Sequence, residues 1–191
     1  MRRHLAALAS WETSAVYIDL MAKFVALLRA INVGGAGIIS MSDLRDLCDT
    51  AGFRQVRTYI QSGNIVFTSS LSEENIKDKL DRALAAKLGK PVGVLLRSGA
   101  ELDAVLCGNP FASAAPNRVI VLFLDEAPPK TALAKLRIPG REEVILRGRE
   151  VFIHYPDGQG RSKLKLSFAK DGTGRNLNTI AKLATMAREL E

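Results

Sequence analysis

The chain has 191 residues, of which 47% are hydrophobic and 6% aromatic, so it can bury an aliphatic core as one domain or two small halves. No apolar run approaches the roughly 18–20 residues that a bilayer-spanning helix needs, and we expect no membrane partner. The net charge of +7 favours anionic partners.

Residues 1–20 differ from the rest of the chain, and we predict a dispensable extension or an upstream start before Met21. The apolar patch at residues 5–9 ends too early, near Trp11, for a secretory signal. Cys48 and Cys107 are isolated and the chain has only two histidines, so we expect no metal site, no cofactor and no disulfide. These features predict a reduced, cytoplasmic protein.

The first half, residues 22–98, reads as strand, helix, two strands, helix and strand. Residues 24–28 form a continuous apolar strand pattern, and Ser40 can cap a helix that ends before Gly52. Two strands at 56–60 and 65–68 flank a turn, a second helix spans 72–89, and 92–96 is the fourth strand. This βαββαβ order predicts a ferredoxin-like subdomain.

The second half, residues 99–191, reads as a related βαββα arrangement behind a short helix that starts at Ser98 and ends before Pro110. The predicted elements are a strand at 119–124, a short helix at 128–136, a hairpin at 143–154 and a final helix at 177–190. The fold class is therefore α+β with two subdomains.

Three blocks of polar residues and glycine are the candidate ligand-binding segments: residues 27–35 (LLRAINVGG), 58–64 (TYIQSGN) and 173–179 (TGRNLNT). In a ferredoxin-like sheet the first strand lies between the third and the fourth, so the first two blocks should meet at one edge. Glycines there allow a ligand to approach the backbone. With Lys163 from the basic tail added, the candidate residues are Arg29, Asn32, Gly34, Gly35, Gln61, Ser62, Asn64, Lys163, Arg175 and Asn176.

The third block opens the predicted last helix, where free N–H groups and the guanidinium of Arg175 suit an anion. Residues 161–182 contain six basic side chains against Asp171 alone, which favours phosphate binding. Each block also has a purely structural interpretation. Gly63 and Asn64 suit a tight turn, Asn176 suits a helix cap, and the basic stretch suits a solvated face.

These blocks resemble the bacterial family known as domain of unknown function 1697, over residues 22–189. The family pattern runs through residues 27–35, 58–64, NPF at 109–111, YPDGQGRSK at 155–163 and 173–179. The resemblance implies an α+β protein of two ferredoxin-like subdomains with no established activity. The chain departs from the pattern at Ala30, Ala36 and Leu177, where the family commonly has glycine, a basic or polar residue and tryptophan.

The leading functional hypothesis is a protein that binds an anionic ligand in a cleft formed by the three blocks of polar residues and glycine. The ligand would be a phosphorylated small molecule, a nucleotide or nucleic acid. Base stacking on the sheet would depend on Tyr59 and Phe67, the candidate aromatic residues of the middle strands. An enzyme that uses Tyr59, Tyr155 or Lys163 as acid or base stays open, although no triad, metal site or phosphate-binding loop is visible. A structural or protein-interaction module is the third alternative.

Overall fold

The computed structural model describes residues 21–29, 31 and 38–190. The extension predicted at residues 1–20 and the candidate residues Asn32, Gly34 and Gly35 lie outside this part of the chain. The described elements are β1 (Ala22–Leu28), α1 (Met41–Thr50), β2 (Arg54–Tyr59), β3 (Asn64–Ser69), α2 (Glu73–Leu88), β4 (Val94–Ser98), α3 (Gly99–Cys107), β5 (Val119–Phe123), β6 (Glu143–Arg147), β7 (Glu150–His154), β8 (Thr173–Asn176) and α4 (Leu177–Arg188).

The first sheet has the predicted ferredoxin-like order β2-β3-β1-β4, with β1 antiparallel to both of its neighbours. Strand β1 is central because its five residues from Phe24 to Leu28 are buried on both faces. Helices α1 and α2 start where the sequence predicts, since the Ser40 and Ser72 hydroxyls accept hydrogen bonds from the N–H groups of Asp43 and Asn75.

The second sheet repeats this order with β6-β7-β5-β8, and its fourth strand is absent from the sequence prediction. Residues 173–176 form β8, which pairs with β5, while α4 begins at Leu177, as predicted, with Asn176 as its cap. The segment TGRN lacks the apolar alternation of an ordinary strand. Gly174 packs closely against Ile120, and the Arg175 side chain reaches Asn64 of the first sheet. Pairing with β5 decides its conformation.

The helix predicted at residues 128–136 is a single 3₁₀ turn, Lys130–Leu133. Pro129 precedes it without a side-chain cap, and Pro139 follows closely, so the segment cannot build a stable longer helix. The crossover from β5 to β6 is consequently a mostly irregular segment. The fold class, α+β with two similar ferredoxin-like units, is nevertheless confirmed, whereas the boundary between residues 98 and 99 stays a prediction.

The two sheets share one hydrophobic core through α3 and α4. Val25 and Leu27 from β1, and Val121 from β5, belong to the same cluster as Leu102 of α3 and Leu183 of α4. Helix α4 contacts β1 and β3 of the first sheet as well as β5 and β8 of the second. A second core lies between the first sheet and α1 and α2, and a third lies under residues 164–169 on the far face of the second sheet.

Candidate functional site

The carboxyl end of β1 meets the β2–β3 turn and the start of β4, as the ferredoxin-like topology predicts. The Leu28 N–H donates to the Gly63 carbonyl over 2.8 Å, and the Arg29 N–H donates to the Gly93 carbonyl over 2.8 Å. We call this edge, with the side chains of the first two blocks, the polar rim. The third block reaches the polar rim as well, through Arg175.

Arg175 is buried at the polar rim, with only 8% of its surface exposed. Its guanidinium donates to Asn64 Oδ1 over 2.6 Å, to the Leu28 carbonyl over 3.0 Å and to the Ser62 carbonyl over 2.9 Å. It also donates to Thr173 Oγ1 and to the Gly174 carbonyl. None of these acceptors is a carboxylate, and burial lowers the pKa of Arg175 to about 10. The group remains charged at neutral pH, and its hydrogen bonds hold the blocks to one another.

The other rim residues are also engaged within the protein. The Asn64 side-chain amide donates to the Tyr59 carbonyl over 2.9 Å and to Ser62 Oγ over 3.0 Å, which closes the turn. Asn176 caps α4 by accepting from the Thr179 N–H over 2.9 Å. Gln61 is exposed beside them. The structural interpretation of these positions therefore accounts for most of their polar atoms.

Arg29 is the accessible cation of the polar rim. Its Nη1 lies 2.8 Å from Asp171 Oδ1, and the two side chains are 37% and 75% exposed. An ion pair this open contributes little to stability and yields readily to a competing anion. The polar rim thus presents one solvent-facing guanidinium among the residues that the structure describes there.

Lys163 lies in a different place from the polar rim. It belongs to an extended segment whose odd-numbered side chains face outward, while Leu164, Leu166 and Phe168 pack on the third core. This alternation puts Lys163 and Lys165 on one surface. Facing them is the irregular segment after the 3₁₀ turn, which contributes Lys135 and Arg137.

We call the depression between these two segments the basic groove; its volume is about 830 Å³. Lys135, Arg137, Lys163 and Lys165 line it and are exposed. Within the described residues, no carboxylate lines the basic groove and none of the four cations forms an ion pair or a hydrogen bond. Phe168 is half-buried in the wall of the same groove.

A smaller cavity of about 290 Å³, the tyrosine pocket, shares Pro139 and Lys163 with the basic groove. The Tyr155 side chain lines it, 8% exposed and without a hydrogen-bond partner in the described part of the chain. Burial, with Glu142 nearby, raises the pKa of Tyr155, so the phenol stays protonated at neutral pH and can donate a hydrogen bond.

Both carboxylates of the tyrosine pocket accept hydrogen bonds from neighbouring side chains. The Ser162 hydroxyl donates to Glu142 and is the main cause that lowers the pKa of that carboxyl. Arg141 donates to Asp157 through two nitrogens, and this contact lowers the pKa of Asp157, with Arg161 adding to the effect. Among the described residues, Glu142 Oε2 is buried without a hydrogen-bond partner, so the pocket offers hydrogen-bond donors and cations beside one unbonded carboxylate oxygen.

Among residues 21–29, 31 and 38–190, no group of three or more His, Cys, Asp or Glu side chains is placed to hold a metal ion. No helix in that same part of the chain is long and apolar enough to cross a bilayer.

Comparison with known proteins places the chain in a family. The sequence profile of the family described as "Protein of unknown function (DUF1697)" matches residues 21–152. This chain belongs to the DUF1697 family. The matched region contains the polar rim's first two blocks and one wall of the basic groove, while Lys163, Lys165 and Arg175 lie beyond it.

A solved structure is similar over almost the whole fold. It is the conserved bacterial protein SP0830 from Streptococcus pneumoniae, with 28% sequence identity and a TM-score of 0.73. The alignment covers 87% of this chain and 99% of that one. No functionally curated protein matches the chain. DUF1697 membership and this likeness give the fold and no activity.

Sequence reasoning missed the wall of the basic groove that carries Lys135 and Arg137. Lys135 lies within the helix that the sequence predicts at residues 128–136, and Arg137 follows it directly. The available signal was the density of cations between Lys130 and Arg141, framed by prolines that prevent a regular helix.

Proposed function

We propose that this protein binds single-stranded nucleic acid along the basic groove. One observation carries the proposal: within the part of the chain that the structure describes, four exposed cationic side chains line one groove with no carboxylate in its lining and no ion pair. Cations left unpaired on opposite walls of a groove repel one another, and an anion between them relieves that repulsion.

The shape of the basic groove favours a polymer over a small enclosed ligand. Small-molecule sites bury most of the ligand and fix it with a few convergent polar groups. Here Lys135, Arg137, Lys163 and Lys165 all stay exposed along two chain segments. Such an arrangement suits successive phosphates of a backbone, which lysine and arginine neutralise one by one.

Phe168 favours a single strand over a duplex. Its half-buried ring lines the wall of the basic groove, where an unpaired base could stack on it. Stacking on the first sheet, by contrast, has no support at Phe67, because that ring is fully buried between Phe24 and Phe53. The polar rim is therefore not our proposed nucleic-acid surface.

The tyrosine pocket supports a rival version, a phosphorylated small molecule held by Arg161, Lys163 and the Tyr155 hydroxyl. The tyrosine pocket gives less support to the enzyme alternative, because the raised pKa of Tyr155 prevents this side chain from acting as a base at neutral pH. We also infer a cytoplasmic location from Cys48 and Cys107, which are free thiols.

The test is fluorescence anisotropy with a labelled single strand of about 12 nucleotides, within the usual site size. With four phosphate contacts, log K should fall with log salt at a slope of about −3. The double variant Lys163→Glu with Lys165→Glu should abolish binding at moderate salt, because it reverses the charge of one groove wall.

The matched control is Lys90→Glu with Lys182→Glu, which changes the net charge by the same amount at exposed lysines outside the groove. This control should retain most of the affinity. If both double variants lost the same affinity for the single strand, overall charge alone would explain the loss, and the proposal would be contradicted. Displacement of the strand by a nucleoside monophosphate at a similar concentration would favour the small-molecule version instead.

A further inference from the structure

Strand β6 is one of the two edges of the second sheet, and its backbone is open on one side. It pairs only with β7 in the described residues, over five residues in continuous register. Arg147 and Glu150 flank a two-residue turn that starts at Gly148, with φ of +60°. Residues flanking such a turn hydrogen-bond each other, and bonded pairs alternate along the ladder. The N–H and C=O groups of Val144 and Leu146 therefore face away from β7.

Those outward groups are unpaired in the part of the chain that the structure describes. No backbone or side-chain hydrogen bond to Val144 or Leu146 exists there outside the β6–β7 ladder. Open edge strands readily pair with another strand, and proteins usually protect them with bulges or charges. Strand β2, one of the two edges of the first sheet, has such protection: its register shifts between Arg54 and Arg57, with Gln55 at a φ of +53°.

The sequence of β6 is self-complementary in charge. It reads Glu143, Val144, Ile145, Leu146 and Arg147, an acid at one end, a base at the other and apolar residues between. Antiparallel pairing of two such strands about Ile145 places Glu143 of one copy opposite Arg147 of the other, twice over. Opposite charges on facing strands stabilise a pair, and like charges destabilise it.

We propose that two copies of this protein associate by pairing β6 with β6, antiparallel and centred on Ile145, into one continuous eight-stranded sheet. In this register Val144 of one copy and Leu146 of the other exchange both backbone hydrogen bonds. The register that satisfies the open backbone groups is thus also the one that matches the charges. Two independent requirements select the same alignment.

The side chains around β6 suit this partner. Ile145 is 36% exposed and lies on the two-fold axis, where the second Ile145 covers it. Beside the strand is a mainly apolar groove of about 580 Å³, with Ala127, Pro128, Leu133 and the single cation Lys130 on its far wall. Arg147 has no ion pair within the described residues. Glu143 contacts His154 through Oε1, at 3.0 Å from Nδ1, and a carboxylate can accept further bonds from an arginine.

Sedimentation analysis from about 1 µM to about 1 mM tests the pairing through charge reversal. Glu143→Arg alone and Arg147→Glu alone each place like charges opposite each other at both ends, and each should weaken self-association about tenfold or more. A mixture of the two variants restores both opposite-charge pairs in the mixed dimer, so it should associate as the wild type does. Far-ultraviolet circular dichroism checks that each variant is folded.

A wild type that remains monomeric at about 1 mM would overturn the proposal, as would a mixture that associates no better than the variants alone. A second readout does not depend on charge. Ile145→Cys in a Cys107→Ser background should cross-link between copies on oxidation, since facing residues of a non-bonded pair lie about 4.5 Å apart at Cα, within the disulfide range.

The control for cross-linking is Ile138→Cys in the same background, at another exposed isoleucine. Cys48 is buried, and burial raises the pKa of its thiol to about 12, so it does not compete. Equal cross-linking at positions 145 and 138 would show random collision and contradict the register.

Discussion

Gly63 lies at the tightest point of the polar rim, where the β2–β3 turn passes over the end of β1. Its φ is +74°, and a Cβ placed there would lie 2.8 Å from Leu28 Cβ and still closer to Ile31 Cγ2. The residue needs both a left-handed backbone and the absence of a side chain. The hydrogen bond from the Leu28 N–H to the Gly63 carbonyl depends on this close approach.

Gly63→Ala should therefore lower the free energy of unfolding by about 3 kcal/mol, from backbone strain and overpacking together. Gly52→Ala is the matched control, because its φ is +89° but nothing lies within 4 Å of its added methyl group. That variant should lose only about 1 kcal/mol. Urea denaturation of both measures the difference, and equal losses would mean that the rim tolerates the added methyl group.

At single positions the sequence predicts local chemistry better than long-range contacts. The turn at residues 60–63 and the cap at Asn176 follow from neighbours in the chain. Arg175 could be recognised as polar and special, but the acceptors it reaches at Asn64 and Leu28 lie over 100 residues away. The acceptors that a buried guanidinium reaches depend on how the two sheets pack against each other, and no local sequence pattern encodes that packing.

Elements with strong periodicity were predicted, and the element without it was not. Strand β5 and the β6–β7 hairpin have apolar signals, and helices α1 to α3 have serine caps at their first turns. Strand β8 has glycine, arginine and asparagine where apolar residues usually alternate. Its partner strand, not its composition, makes it a strand.

The capping box of α3 should matter more than an ordinary serine cap. Ser98 accepts from the Glu101 N–H, while the Glu101 carboxylate accepts from the Ser98 N–H over 2.7 Å. Ser98→Ala should cost about 1.5 kcal/mol of unfolding free energy. Ser72→Ala removes a single, longer bond of 3.4 Å at α2 and should cost less, about 0.5 kcal/mol. Thermal or urea unfolding that ranks the two in the opposite order would contradict this.

Two buried arginines join the halves of the molecule at opposite ends of β1. Arg97 of β4, fully buried, donates to Glu150 Oε1 over 2.8 Å and to the Leu124 carbonyl over 2.7 Å. Arg175 of β8 joins the other end through Asn64 and the rim carbonyls. With the shared core around α3 and α4, these contacts make one cooperative unit of two similar sheets.

Arg175→Met should lower the free energy of unfolding by about 3 kcal/mol or more, since several buried carbonyls lose their donor at once. The protein should still unfold in one transition because the shared core remains. Arg82→Met, at a largely exposed pair with Asp78, should change stability by no more than about 0.5 kcal/mol. Denaturant titration followed by circular dichroism gives both values. A loss at Arg175 as small as at Arg82 would show that water replaces its hydrogen bonds.

The placement of α3 and α4 has a consequence for biosynthesis. Ribosomes deliver the first sheet well before α4, so Val25, Leu27, Val66 and Leu95 face solvent on one side until that helix emerges. The nascent chain therefore passes through a stage in which one apolar face of the first sheet is exposed to solvent. A chaperone acting at that moment would have to leave before α4 can take its place.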